Sequence, residues 1–312
     1  MTGTWQDLGI ELAWRAVPAG LGEGGSSWPL DREWINQVSI RWPSQYAWPD
    51  AHKWLDPLRH GLQRFVRVSP AILPQPFEHI ILIELAGAAL PRTVAIDYAD
   101  RSTIDEECAE RCALYFKMQY RSQGYPYDHV IPGGFVPASE TLYRYLPRVR
   151  ALAQVRRPRL DVYGRFRLDY ATQLRRDAIR HLTDSADLRY VGGGGVVRYS
   201  RFLREVADAK ICINLPGNGD LCFRLIDYLA VGACVIGPRL RTQLHVPLVD
   251  REHIVYTADD LSDLVPLCRR YLQDDAERER MRLATQALFD QFLCRHQLAA
   301  YYLYQCQGRL QP

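Results

Sequence analysis

Lysine is almost missing from this chain: Lys53, Lys117 and Lys210 are its only ammonium side chains, and the other 36 basic residues are arginine. Eleven of those arginines fall between Arg144 and Arg180, yet the aromatic interleaving of a base-stacking platform is sparse there, so nucleic acid is not expected as a partner. Attraction of an anionic small molecule, or peripheral association with a membrane-bound partner, stays compatible with the same stretch. Long apolar runs are missing too. The longest, such as Ile80 to Leu85 and Ala230 to Ile236, fall far short of the roughly 20 residues of a membrane span. The opening MTGTWQDLGIELAWR has no basic segment followed by an apolar stretch, which predicts no secretory leader and a cytoplasmic location. The eight cysteines show no C-x-x-C spacing, so reduced, buried thiols are expected. Cys108 and Cys112 sit four apart in a helical-looking segment without a second pair at matching spacing, and no metal is expected there.

What is present is an ordinary globular composition, 47% hydrophobic and 24% charged, long enough for two cores. The first thirty or so residues, with Gly20, Gly22, Gly24, Gly25, Ser26 and Ser27, read as a mobile loop. Short apolar runs at Phe65 to Val68, His79 to Leu85, Thr93 to Asp97 and Leu114 to Met118 predict buried parallel strands, with helical periods at Pro49 to Arg64 and Thr103 to Ala113 between them. The basic, twice-proline stretch 146–161 predicts a linker, which divides the chain into an N-terminal α/β domain over 1–150 and a second domain over 151–295. In the second half strands and helices alternate strictly, from Leu160 to Tyr163 through Ile254 to Tyr256. That pattern predicts an α/β, doubly wound parallel sheet with its ligand crevice at the carboxyl ends of the strands.

The most informative segment is ICINLPGNGDLCFRLIDYLAVGACVIGP, residues 211–238. A strand runs into Pro216, Gly217, Asn218, Gly219 and Asp220 and then into a helix, which is an anion site in principle and an ordinary capped helix start in the alternative. Arg224 and Asp227 share one face of that helix. An arginine there can pair with a diphosphate, and a carboxylate one turn later can accept both hydroxyls of a ribose; a surface ion pair is the equal alternative.

The run FRLIDYLAVGACVI resembles the signature "(F)R-x-x-E-x-(L)A-x-G-x-x-(V)I" of GT-B glycosyltransferases, above all the spore-coat-like and exostosin-like groups. The resemblance covers residues 160–305, including HIVYTADDLSDLVPLCRRYLQDDAERERM. It implies two Rossmann-like domains facing each other across a cleft, with a helix over 296–312 returning to the N-terminal domain. It makes Asp227 the counterpart of a ribose-binding acid, Arg224 its basic neighbour, and Gly217 to Asp220 the donor-facing turn. Arg165, with Arg167 as substitute, takes the place near the diphosphate. YVGGGGVVRYSRF is similar to the region whose main chain reads the nucleobase, at Gly194 and Val196; a loose hinge is the alternative.

Two departures stand out. The family's paired glutamates, with seven residues between them, correspond here to Gly219 and the shorter Asp227, with Asp220 one place out of register. No Asp-x-Asp motif occurs, so a divalent ion is not implied, and no other cofactor is. The N-terminal half resembles the family less. Asp97 and Asp100 in AIDYADRS are candidates for a catalytic base, with a helix cap as the alternative, and Lys117 is a candidate for neutralising the departing diphosphate. The expectation is metal-independent sugar transfer from a nucleoside-diphosphate sugar to a glycan, protein or small-molecule acceptor. A nucleotide-sugar epimerase of the same fold and a non-catalytic nucleotide- or glycan-binding protein are the alternatives.

Overall fold

The computed structural model describes residues 25–87, 91–155 and 157–310; for residues 1–24 the expected mobile loop lies outside them. The chain divides into two units, one of them made of Gly25–Val136, Arg241–Pro247 and the residues from Asp290 on, the other of Pro137–Leu240 and Leu248–Phe289 among the described residues.

The first unit runs α1 (Arg32–Gln37), β1 (Ser39–Pro43), α2 (His52–Leu62), β2 (Arg67–Ala71), β3 (Ile80–Ala86), β4 (Arg92–Asp97), α3 (Glu106–Arg111), β5 (Leu114–Lys117) and β6 (Val130–Pro132). Its six strands form one sheet in the order β2-β1-β3-β4-β5-β6. The alternation in IILIELA buries one face of β3 completely and leaves the other partly open. That strand runs antiparallel to both β1 and β4, which corrects the expectation of parallel strands throughout. Apolar content alone cannot report strand direction, because both arrangements bury the same side chains. Helix α3 is capped by Asp105, whose Oδ1 accepts from the Cys108 N–H at 2.8 Å, so neither Asp97 nor Asp100 serves as its cap.

The second unit runs α4 (Thr141–Val155), β7 (Leu160–Arg165), α5 (Thr172–Asp184), β8 (Tyr190–Gly193), α6 (Tyr199–Ala207), β9 (Ala209–Ile213), α7 (Phe223–Val231), β10 (Val235–Pro238), β11 (Val255–Thr257), α8 (Leu264–Gln273) and α9 (Asp275–Leu288). Helix α4 passes through Pro147 and occupies most of the stretch expected as a linker. Its buried Leu142, Tyr143, Tyr145, Leu146 and Val149 show why: the helical period outweighs one proline. The five strands are all parallel, in the order β11-β10-β9-β7-β8. Read from the other edge this is the doubly wound order in which the first strand lies between the second and third, so the switch point falls between β7 and β9. The last helix, α10 (Arg295–Leu310), belongs to the first unit. There Tyr302 stacks on Phe116 with ring centroids 3.8 Å apart and donates to the Gly133 carbonyl at 2.8 Å.

Helix α7 is apolar almost all round, with Leu225, Ile226, Tyr228, Leu229 and Ala230 fully buried. It ends at Gly232, whose φ of 92° closes the helix in the left-handed region, where a side chain is strained. A Cβ at Gly232 would lie 2.5 Å from Gln286 Nε2, the group that donates to the Val231 carbonyl at 2.8 Å. Gly232→Ala is therefore expected to cost about 1–3 kcal/mol, from the strained backbone and from displacement of that amide. Urea unfolding should show the loss as a lower midpoint at unchanged slope.

Candidate functional site

Three loops at the carboxyl ends of β7, β8 and β9 surround a pocket of about 540 Å³ in the second unit. Arg165, Phe166 and Arg167 come from the end of β7, Gly194 to Val197 follow β8, and Cys222, Phe223, Arg224 and Asp227 belong to the start of α7. Tyr199 and Phe202 of α6 and Ala138 complete the wall. This is the place where doubly wound sheets bind ligands, because the connections leave in opposite directions and open a crevice. Gly192 keeps β7 and β8 tight at the crevice, since a Cβ there would lie 1.8 Å from the Gly164 carbonyl oxygen. The four glycines are thus in part a packing requirement rather than a hinge.

Asp227 stands on the first turn and a half of α7 and is fully buried. Its Oδ1 accepts from the Tyr199 hydroxyl at 2.7 Å and from the Ala138 N–H at 3.3 Å. Its Oδ2, equally buried, finds no donor on the protein. Burial pushes the carboxyl up to about 8 against the opposing pull of Tyr199, the Ala138 N–H and Arg224. Tyr199 is held in place by an aromatic ladder. Its ring lies nearly parallel to Phe202 at 5.9 Å, and Phe202 lies nearly parallel to Tyr228 of α7 at 6.0 Å.

The basic residues behave differently from one another. Arg224 spends its guanidinium on main chain, donating to the Leu215 carbonyl at 2.7 Å and the Arg165 carbonyl at 3.4 Å, while stacking over the Phe166 ring at 4.9 Å. It ties the ends of β7 and β9 together and leaves only Nε without a partner. The guanidinium expected to pair with a diphosphate is thus engaged with main chain on the pocket wall. Arg165 makes a two-pronged pair with Glu205, at 2.8 and 3.1 Å, and Arg201 adds a third bond to the same carboxylate at 2.8 Å. Against the upward pull of its burial, the two guanidinia hold Glu205 below the ordinary carboxylate range. Arg167 is the open cation of the loop after β7, its side chain 69% exposed and 3.8 Å from Asp169.

The turn after β9 does not line the pocket. Gly217 N–H donates to the Gly219 carbonyl at 2.8 Å, and the Pro216 carbonyl accepts twice from Arg175, at 2.9 and 2.6 Å. Pro216, Gly217, Asn218, Gly219 and Asp220 are thus organised around Arg175, and the part of this stretch that lines the pocket is Cys222 and Phe223. Arg175 also donates to the Arg167 carbonyl and is 3% exposed. Burial, with Arg224 beside it, pulls its guanidinium below the ordinary arginine range, although it stays charged at neutral pH. Arg175→Met should cost about 2–4 kcal/mol, because carbonyls of two loops lose charged donors, and thermal unfolding would register it.

In the first unit, Asp97 and Lys117 are cross-strand partners on β4 and β5 and are both buried. Lys117 Nζ donates to Asp97 Oδ1 at 2.8 Å and to the Ala99 carbonyl at 3.3 Å, and the Tyr115 hydroxyl donates to Asp97 Oδ2 at 2.6 Å. Both oxygens of Asp97 are hydrogen-bonded and the Lys117 ammonium is paired with it inside the core, an arrangement that suits a structural ion pair more than a catalytic one. Asp100, three residues on, is exposed. Among the described residues no three His, Cys, Asp or Glu side chains converge as metal ligands, Cys108 and Cys112 included, and no helix is long and apolar enough to cross a membrane.

Sequence reasoning missed Tyr199, Arg175 and Glu205. Each acts across 28 to 41 residues of sequence, and no local pattern announces such a partner.

Residues 148–302 match the family model described as glycosyl transferase-like. Among solved structures the chain is similar to sucrose-phosphate synthase from Thermosynechococcus elongatus, at 19% identity and a TM-score of 0.34, over 58% of this chain and 52% of that one. The chain thus spans about half of that protein's length. No curated protein matches.

Proposed function

We propose that this chain, whose residues 148–302 are glycosyl transferase-like and which is on that footing a glycosyltransferase, moves a sugar from a nucleoside-diphosphate sugar to a hydroxyl acceptor. The observation that carries the donor assignment is Asp227: a buried carboxyl with one unpartnered oxygen, on the wall of a pocket at the switch point of a parallel sheet. Two neighbouring ribose hydroxyls are the complement of such a group, since each donates one hydrogen bond to a carboxylate. The loop Gly194 to Val197 then offers its main chain to the base, and Arg167, with Arg165 behind it, faces the diphosphate.

The departing diphosphate needs compensating charge, and the arginines of the loop after β7 supply it. Arg224 and Arg175 contribute indirectly, by fixing the ends of β7 and β9 and the turn after β9. Asp100, the exposed carboxylate after β4, is the group of the first unit we assign to proton abstraction from the acceptor. Transfer is expected to proceed without a divalent ion.

The test is release of nucleoside diphosphate from a panel of nucleotide sugars, with and without a mixture of glycan acceptors and in the presence of a chelator. Acceptor-dependent release from one sugar nucleotide, unchanged by chelation, supports the reading. Conversion of the sugar without release would favour an epimerase, and tight binding without turnover a binding protein.

A further inference from the structure

Asp227 presents a charge problem that its surroundings solve only halfway. A buried carboxylate ion needs donors on both oxygens, because each unmet lone pair forfeits the hydration it had in water. Oδ1 has two donors, the Tyr199 hydroxyl and the Ala138 N–H, and Oδ2 has none on the protein. The groups facing the carboxyl are few. From α6 comes Tyr199, and Tyr143 of α4 adjoins that hydroxyl. From α7 itself comes Arg224, whose two terminal nitrogens donate to main-chain carbonyls. Arg150 of α4 and Gln286 of α9 meet the other end of the helix, at the Ala230 and Val231 carbonyls. Nothing in this set delivers a donor to Oδ2, and a proton on that oxygen removes the cost.

A protonated Oδ2 can accept little from a ribose diol, whereas the ionised group accepts from both hydroxyls. We propose that Asp227 carries a proton on Oδ2 until the vicinal hydroxyls of the donor nucleotide take its place, so that donor capture releases a proton to solvent, with Tyr199 as the positioning residue that keeps Oδ1 satisfied throughout. The balance is simple: the carboxylic acid loses its proton to buffer, and two hydroxyl hydrogen bonds to the carboxylate replace one O–H bond. This inference rests on the donor-site reading given above. It adds that affinity for the donor rises with pH across the range in which Asp227 ionises, at a site that a purely structural carboxyl would leave insensitive to pH.

The experiment is calorimetric titration of the intact protein with UDP-glucose, GDP-mannose and ADP-glucose in turn. Their diphosphates and bases have no proton to lose near neutrality, so a proton exchanged near pH 6.5 belongs to the protein. Each titration is repeated in buffers of low and high ionisation heat. Release of about one proton near pH 6.5, shrinking toward zero by about pH 9.5, is the expected result for the sugar nucleotide that binds. Tyr199→Phe, which removes one of the two donors to Oδ1 and little bulk, should still fold and should move the fall-off about one pH unit higher. Asp227→Asn should bind weakly with no release. An identical binding heat in every buffer would overturn the proton linkage while leaving the donor site intact. Absence of binding by any of the three to the folded wild type would overturn both.

Discussion

Replacing Asp227 by asparagine is expected to weaken nucleotide-sugar binding by at least about 100-fold, the loss of two hydrogen bonds to a charged group, and to leave a protein more stable than the wild type at alkaline pH. The two effects have one cause. The native carboxyl, pushed up to about 8 by its burial, holds its proton over a range in which an unfolded aspartate, near 3.9, has lost it. The native state binds more protons between those values, so the contribution of Asp227 to stability is complete below about pH 4 and is lost as pH rises through 8, on the order of a few kcal/mol. Asparagine does not titrate and removes that slope. His245 works in the opposite sense: its buried ring, pushed down to about 4 mainly by desolvation, makes stability fall as pH drops below about 6.5. The comparison is therefore cleanest between about pH 7.5 and 8.5, where His245 is neutral in both states. Melting curves of the two proteins should diverge across that window. Parallel curves, with binding retained, would mean that Asp227 is an ordinary packed side chain.

Lys117→Ala is expected to cost about 3–5 kcal/mol, because it strands Asp97 in a fully buried position with its cation gone. Burial already pushes the Asp97 carboxyl above its ordinary range and pulls the Lys117 ammonium below its own, and the pair holds because the Lys117 and Tyr115 bonds offset that cost. The double variant Asp97→Asn with Lys117→Met should recover most of the loss, since an apolar side chain beside a neutral amide leaves no buried charge. Urea denaturation of the wild type, Lys117→Ala and the double variant measures the loss and its recovery. A Lys117→Ala protein of wild-type stability that had lost only turnover would restore the lysine to a role in catalysis.

The two halves of the chain differ in how far their sequences announce them. In the second unit strict alternation with short connections places helix α6 at Tyr199–Ala207 and every strand of the sheet to within a few residues, because parallel strands buried on both faces read as unbroken apolar runs. In the first unit β1, with the sequence SIRWP, and the three-residue β6 carry too short a pattern to be seen, and the antiparallel course of β3 depends on partners distant in sequence. The segment FRLIDYLAVGACVI points directly at Asp227, yet it says nothing of whether Arg224 reaches a ligand or the main chain. That choice is made by the carbonyls of Arg165 and Leu215, which only the folded sheet brings into range. Asp97 and Lys117 were each legible at the end of a strand, while their mutual pairing follows from the register of β4 against β5.

A crystal structure of the protein with the best-binding nucleoside diphosphate is the most direct test of the donor pocket. The nucleotide should lie between the ends of β7, β8 and β9, its ribose hydroxyls within about 3 Å of Asp227, its base against Gly194 to Val197 and its diphosphate toward Arg167. A nucleotide seated elsewhere on the molecule, with Asp227 still buried and untouched, would contradict it.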